Sequence, residues 1–248
     1  MQGGAAAAER ATRFRGEATA YRSVEPGRGE LRREVLGRPA DGEALVRAVR
    51  SGVSRGTESL VHRGLVPEGV RGLMRALFQV GEFPGTVKYG YLSVGVVEDG
   101  PLPLPGRRVF CLHPHQDRYV VPAAALSVVP DEVPSDRAVL AGPVETAVNA
   151  LWDAAPRFGD RVAVVGAGMI GASVAALLRR FPLDRLQLVD PDPQRTALAA
   201  ALGVDLVTPG WRARSSCSGG GRGRGAVVVR PERTTRAPRG RVPRPAPD

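Results

Sequence analysis

Three glycines stand in the segment Val162-Ala-Val-Val-Gly166-Ala-Gly168-Met-Ile-Gly171, and Asp190 follows 19 residues after the last of them. Gly166 permits a tight turn, Gly168 lets backbone approach a phosphate, and Gly171 lets a helix pack closely on a strand. A helix opening at Met169 and Ile170 offers unpaired amides and a partial positive charge to a pyrophosphate. An acid about 20 residues further on suits a ribose 2′-hydroxyl. This is a dinucleotide-binding pattern. The Asp190 carboxylate would repel a 2′-phosphate, which favours NAD over NADP. Arg195 lies close by and weakens that preference. The plainer alternative is a glycine-rich turn in some other α/β protein, because this motif alone has low specificity.

The elements that must hold these residues are legible around them. The apolar run 161–165 reads as a buried parallel strand, 169–180 as a helix, and 186–189 as a second strand ending at Asp190. A helix over 193–202 and a short third strand over 204–207 follow. Upstream, runs at 18–24, 29–36, 43–51, 87–97, 108–112 and 119–121 are broken by Pro-Gly, Arg-Pro and Asp-Gly turn signals, the pattern of a mostly β domain. The stretch 134–155 reads as one helix with Ser135 as its N-cap and small residues for close packing. The expected organisation is a disordered stretch 1–16, a β domain 17–133, an incomplete Rossmann domain 134–209 and a disordered basic tail 210–248.

Charge is unevenly spread. The net charge of the 248 residues is +10, but Trp211 to Asp248 carries ten Arg against Glu232 and Asp248, so the remainder is nearly neutral. The tail is low in complexity and cannot bury enough apolar surface to offset its ordering entropy. Its Gly219-Gly-Gly-Arg-Gly-Arg-Gly segment resembles nucleic-acid-binding Arg/Gly repeats. Only Trp211 is available for base stacking, so nucleic acid is the lesser reading. An abrupt switch to Arg/Gly/Pro/Ser text is also what a change of reading frame near codon 209 would produce. That would leave an inactive fragment; translating the coding DNA in the other frames tests it. Cys111 and Cys217 form no disulfide framework or zinc-finger spacing. No apolar run approaches a membrane span, and 1–10 lacks the apolar core of a signal peptide, so a cytoplasmic location is expected.

Four further stretches carry a resemblance. They are Ser51-Gly-Val-Ser-Arg-Gly-Thr-Glu-Ser59, Val87-Lys-Tyr-Gly-Tyr-Leu-Ser-Val-Gly-Val-Val97, Val109-Phe-Cys-Leu-His-Pro-His-Gln116 and Val144-Glu-Thr-Ala-Val-Asn-Ala-Leu-Trp-Asp153. With the glycine turn they resemble the medium-chain dehydrogenase/reductase superfamily over about residues 18–209. They are similar to its zinc-ligand-lacking branch, which includes bacteriochlorophyllide hydroxyethyl dehydrogenase-type proteins. The resemblance implies a GroES-like β-barrel followed by a doubly wound Rossmann sheet. It also implies an NAD(P)-dependent oxidoreductase acting on a small molecule, and relatives that homo-oligomerise.

Where zinc-dependent relatives carry metal ligands, this chain has Ser54 or Arg55, Tyr91 with Leu92, and Gly142; the structural zinc lobe is absent too. His113 and His115 would share one face if they lay on a strand, but two ligands fall short of the three or four that zinc requires. No catalytic zinc is expected. The resemblance then places Thr57, Tyr91, His113, His115 and Glu145 near the nicotinamide. Thr57 is a candidate proton relay, and a Tyr or His a candidate general acid. Each has a structural alternative: a core aromatic for Tyr91, rim residues for the histidines, an Arg partner for Glu145. Glu58 and His62, four apart, read as a surface pair on one helix face.

Overall fold

The computed structural model describes residues 16–208 and 227–229. They fall into two compact units, 16–149 and 150–208 with 227–229. Residues 1–15, most of the Arg-rich tail and Cys217 lie outside the described residues, and with them the expectations of disorder, altered reading frame and nucleic-acid binding.

In the first unit, strands β1 (Glu17–Glu25) and β2 (Arg28–Val35) form an antiparallel hairpin. Five more strands form an antiparallel sheet in the order β6-β3-β4-β5-β7. Their ranges are β3 Glu43–Ser51, β4 Ser93–Asp99, β5 Arg108–Cys111, β6 Arg118–Pro122 and β7 Ser127–Val128. Alternation along these strands sends Val46, Val97, Val109, Tyr119 and Val121 into a common core. The barrel expected here is not closed by strand ladders among the described residues. The hairpin joins the rest through the isolated bridges Ala20–Gln116 and Ser23–Val87. The segment that would pair with β1 carries Pro114, which has no N–H to give a ladder.

Helix α1 (Arg55–His62) follows β3, and the short α2 (Arg71–Met74) comes next. The single helix expected over 134–155 is two, α3 (Ser135–Ala138) and α4 (Ala141–Ala154). Pro143 explains the break. It has no N–H and would crowd the carbonyl four residues back, so it is tolerated only in a first turn. Pro134, not Ser135, is the N-cap of α3. The boundary between the units falls within α4.

In the second unit, β8 (Arg161–Val165), β9 (Arg185–Val189) and β10 (Asp205–Val207) are parallel neighbours. Helix α5 (Met169–Leu178) connects the first pair. A 3-10 turn at Pro193–Arg195 and helix α6 (Thr196–Leu202) connect the second. Val162, Val164, Leu188, Val174 and Leu178 are buried. A fourth strand, β11 (Val227–Val229), lies on the other side of β8 but runs antiparallel. The described part of the sheet is therefore a parallel α/β unit of three strands, and the strand beside β8 departs from it by running antiparallel.

Candidate functional site

The glycine turn sits at the carboxyl end of β8, where α/β sheets bind ligands. The register pairs Val165 with Val189, so β8 and β9 end together and bring Gly166 and Asp190 to one edge. The Gly166 N–H donates to Val189 O at 2.7 Å. Gly166 has φ +99°, a conformation that side-chain-bearing residues rarely adopt. Gly168 caps α5 in extended conformation, leaving the first-turn amides of Met169 and Ile170 at the helix start. A Cβ on Gly171 would stand 1.8 Å from Gly166 O, so only glycine lets the helix pack this closely.

Asp190 is buried. Its Oδ2 accepts the Ala167 N–H at 2.7 Å and its Oδ1 accepts the Asp192 N–H at 2.9 Å. The carboxylate thus ties β9 directly into the glycine turn. Asp192 accepts the Gln194 N–H at 3.0 Å and pairs with Arg195 Nε at 3.4 Å. The Arg195 contact is an ion pair without a hydrogen bond, and Arg195 Nε is buried with no hydrogen-bond partner among the described residues.

A second constellation lies in the first unit. His115 Nε2 is 2.5 Å from Glu58 Oε2, and its Nδ1 is 2.5 Å from Ser51 Oγ. Glu58 Oε1 accepts the Ser54 N–H at 2.7 Å, which fixes the carboxylate. The His115 backbone is held on both sides: its N–H donates to Tyr89 O, and its carbonyl accepts from Tyr21 N–H. Gly90, with φ +128°, makes room for the ring, since a Cβ there would lie 2.9 Å from His115 Cδ2. Glu58 and His115 line a cavity of about 320 Å³ with Tyr21, His62 and Tyr89. Ser51 and His115 line a wider groove of about 530 Å³.

The other sequence candidates are placed differently. β5 ends at Cys111, so His113 and His115 do not share a strand face, and the two rings part. His113 is buried, stacked on Tyr119 at 3.8 Å between centroids. Its Nδ1 donates to Pro114 O at 3.0 Å. Burial pushes the His113 pKa down to about 4, against a smaller upward pull from that hydrogen bond. Burial likewise pushes the Cys111 thiol up to about 12, leaving it a poor nucleophile at neutral pH. Tyr91 stands edge-on to Tyr89. Thr57 is half-exposed on α1, next in sequence to Glu58, and Glu145 is exposed on α4. Glu58 and His62 do not pair as a surface couple. Glu58 binds His115, and His62 Nδ1 lies 3.0 Å from the Tyr21 hydroxyl. Among the described residues no group of three His, Cys, Asp or Glu could hold a metal ion. None of the described helices is long and apolar enough to cross a membrane.

His113 supplies a pH test. An unfolded histidine binds a proton below about pH 6.5, whereas the folded ring does so only near pH 4. Between those values the unfolded chain holds more protons, so stability falls as pH falls. The loss should reach about 3 kcal/mol by pH 4, at 1.36 kcal/mol per unit. Urea unfolding at pH 7 and pH 4.5 should show it for the wild type, with a shallower slope for His113→Phe. Equal slopes would show that the ring is not held neutral.

No protein-family model matches the chain. An L-threonine 3-dehydrogenase of Rhizobium rhizogenes is 32% identical over 87 residues, which is 35% of this chain and 25% of that protein. A short chain alcohol dehydrogenase of Escherichia coli, solved with NADH, superposes with TM-score 0.65 at 18% identity. The match covers 77% of this chain and 62% of that one. A quinone oxidoreductase of Thermus thermophilus, solved also with NADPH, gives TM-score 0.56 at 27% identity over 76% of this chain and 58% of that one. Over the matched residues the chain thus has the fold of alcohol dehydrogenases and related oxidoreductases. It spans less than two thirds of the length of these similar proteins.

Proposed function

We propose that this chain is a nicotinamide-dependent oxidoreductase of the medium-chain alcohol dehydrogenase type, acting on a small carbonyl, alcohol or activated alkene without catalytic zinc. The observation that carries the reading is the glycine turn. Gly166 is in positive φ, Gly171 is seated on its carbonyl, and the first amides of α5 lie at the carboxyl edge of parallel strands. Gly168, Met169 and Ile170 would hold the pyrophosphate by their backbone. When bound, the nicotinamide supplies or takes the hydride; the protein binds and orients it.

NAD is favoured over NADP because Asp190 places a carboxylate at the sheet edge, at the end of β9. In zinc's place, the acid–base role falls to a side chain. Among Thr57, Tyr91, His113, His115 and Glu145 we assign it to His115, whose ring is held by a carboxylate and a hydroxyl beside solvent-accessible space. The first unit is read as the GroES-like half, and a cytoplasmic location goes with this reading. Titration with NADH should give a saturable fluorescence change, tighter than with NADPH. The absence of any saturable change with either would overturn the proposal.

A further inference from the structure

The loop residue His115 lies 64 positions along the chain from the strand end Ser51 and 57 from the helix residue Glu58, yet the three form one hydrogen-bonded row. The row keeps both of its hydrogen bonds whichever charge its central ring carries. As neutral imidazole, His115 donates Nε2–H to Glu58 and accepts the Ser51 hydroxyl proton at Nδ1. As imidazolium, it keeps the bond to Glu58 and donates Nδ1–H to Ser51, whose hydroxyl simply reverses. Neither state leaves a polar atom unpaired, so changing between them breaks no hydrogen bond.

We propose that His115 is a proton donor and acceptor for the groove beside it, with Ser51 as the hydroxyl through which the proton passes and Glu58 as the positioning residue. This rests on the oxidoreductase reading only for the identity of the ligand oxygen that takes the proton. The step balances without a further reactant. Ser51 Oγ gives its proton to that oxygen as it takes the one on Nδ1, and imidazolium becomes imidazole; the reverse restores it.

The charged and titratable neighbours of the ring are largely committed elsewhere. Glu58, His62, Tyr21 and Tyr89 face it from the cavity, and Arg50 and Asp117 from the groove. Arg50 pairs with Asp136, and Asp117 accepts the Thr19 N–H. The same row could be mistaken for a nucleophilic serine. However, the Gly52 amide next to Ser51 donates to Leu92 O at 2.8 Å, so it is not free to stabilise an oxyanion.

The chain has three histidines, so nitrogen-15 NMR of the full-length protein resolves each ring. The expected result is a single defined tautomer of the neutral His115 ring. Its neutral form should favour the Nε2–H tautomer by about tenfold or more, as expected for a single orienting hydrogen bond to a charged group. Glu58→Ala should weaken that preference, and Ser51→Ala should slow exchange of the Nδ1 proton while Ser51→Thr restores it. An unchanged His113 signal would certify that each variant is folded. Three results would overturn the proposal: a neutral His115 ring with no preferred tautomer, a preference for Nδ1–H, or fluorophosphonate labelling of Ser51. NADH titration of the same samples reports separately, since a chain that fails to bind NADH would defeat the oxidoreductase reading while leaving the His115 result standing.

Discussion

Gly171→Ala is expected to abolish measurable NADH binding and to lower the melting temperature by about 10 °C, for a destabilisation of about 3–5 kcal/mol. The new methyl carbon would stand 1.8 Å from Gly166 O. That atom is backbone and cannot swing away as a side chain would. Its own residue is held by the Gly166 N–H bond to Val189 O. Relief therefore requires α5 to lift from β8, which opens the buried contact around Val164 and Val174 and displaces the helix amides from the turn. Gly168→Ala is the matching control. Its Cβ would meet no atom within 4 Å, and the residue has φ −80°, so the fold should tolerate it. The same Cβ occupies the approach to the turn where a phosphate would come. Gly168→Ala should therefore keep the wild-type melting temperature and lose about tenfold in NADH affinity, about 1.4 kcal/mol. Calorimetry and fluorescence titration of the two variants separate packing from ligand approach. Wild-type NADH binding by Gly171→Ala would remove the turn from the cofactor site.

The contrast between those two glycines was readable from the sequence because it is local. A turn, a helix start and the strand that follows all lie within 30 residues, and each glycine's task is set by its neighbours. The row Ser51–His115–Glu58 was not readable. Its members come from a strand end, a helix and a loop, and no periodicity links them. One local signal was available: Ser54 followed by Glu58 is close to a capping box, with the acid one residue later than usual, and it marks both α1 and a carboxylate turned back toward the helix start. The histidines misled for a related reason. Alternation holds only while the strand continues, and β5 ends at Cys111, before either ring. Pro143 likewise divided what composition alone presented as one helix. Closure of a barrel is the extreme case, since it depends on pairings between distant edges that hydrophobic pattern does not encode.

Asp190→Asn separates two roles that sequence spacing cannot distinguish. A carboxylate that only receives a ribose hydroxyl could become an amide at little cost to the apoprotein. Asp190 does more, because both of its oxygens accept backbone N–H groups, from Ala167 and from Asp192, in a site only 1% exposed. Asparagine offers one oxygen and one NH2. Whichever way the amide turns, a donor faces a donor, and either the buried Ala167 N–H or the part-buried Asp192 N–H loses its acceptor. An unsatisfied buried group costs about 1–3 kcal/mol, and loss of the charged acceptor adds to it, for an expected total of about 3 kcal/mol. The isosteric change should therefore lower thermal stability nearly as much as Asp190→Ala does, and both should weaken NADH by loosening the turn at Ala167. Thermal melts of the apoprotein decide the matter. If Asp190→Asn melts with the wild type and loses only NADH affinity, the carboxylate acts on the ribose alone. If it melts well below the wild type before any ligand is added, the acid that marks the dinucleotide pattern is also the clasp that builds it.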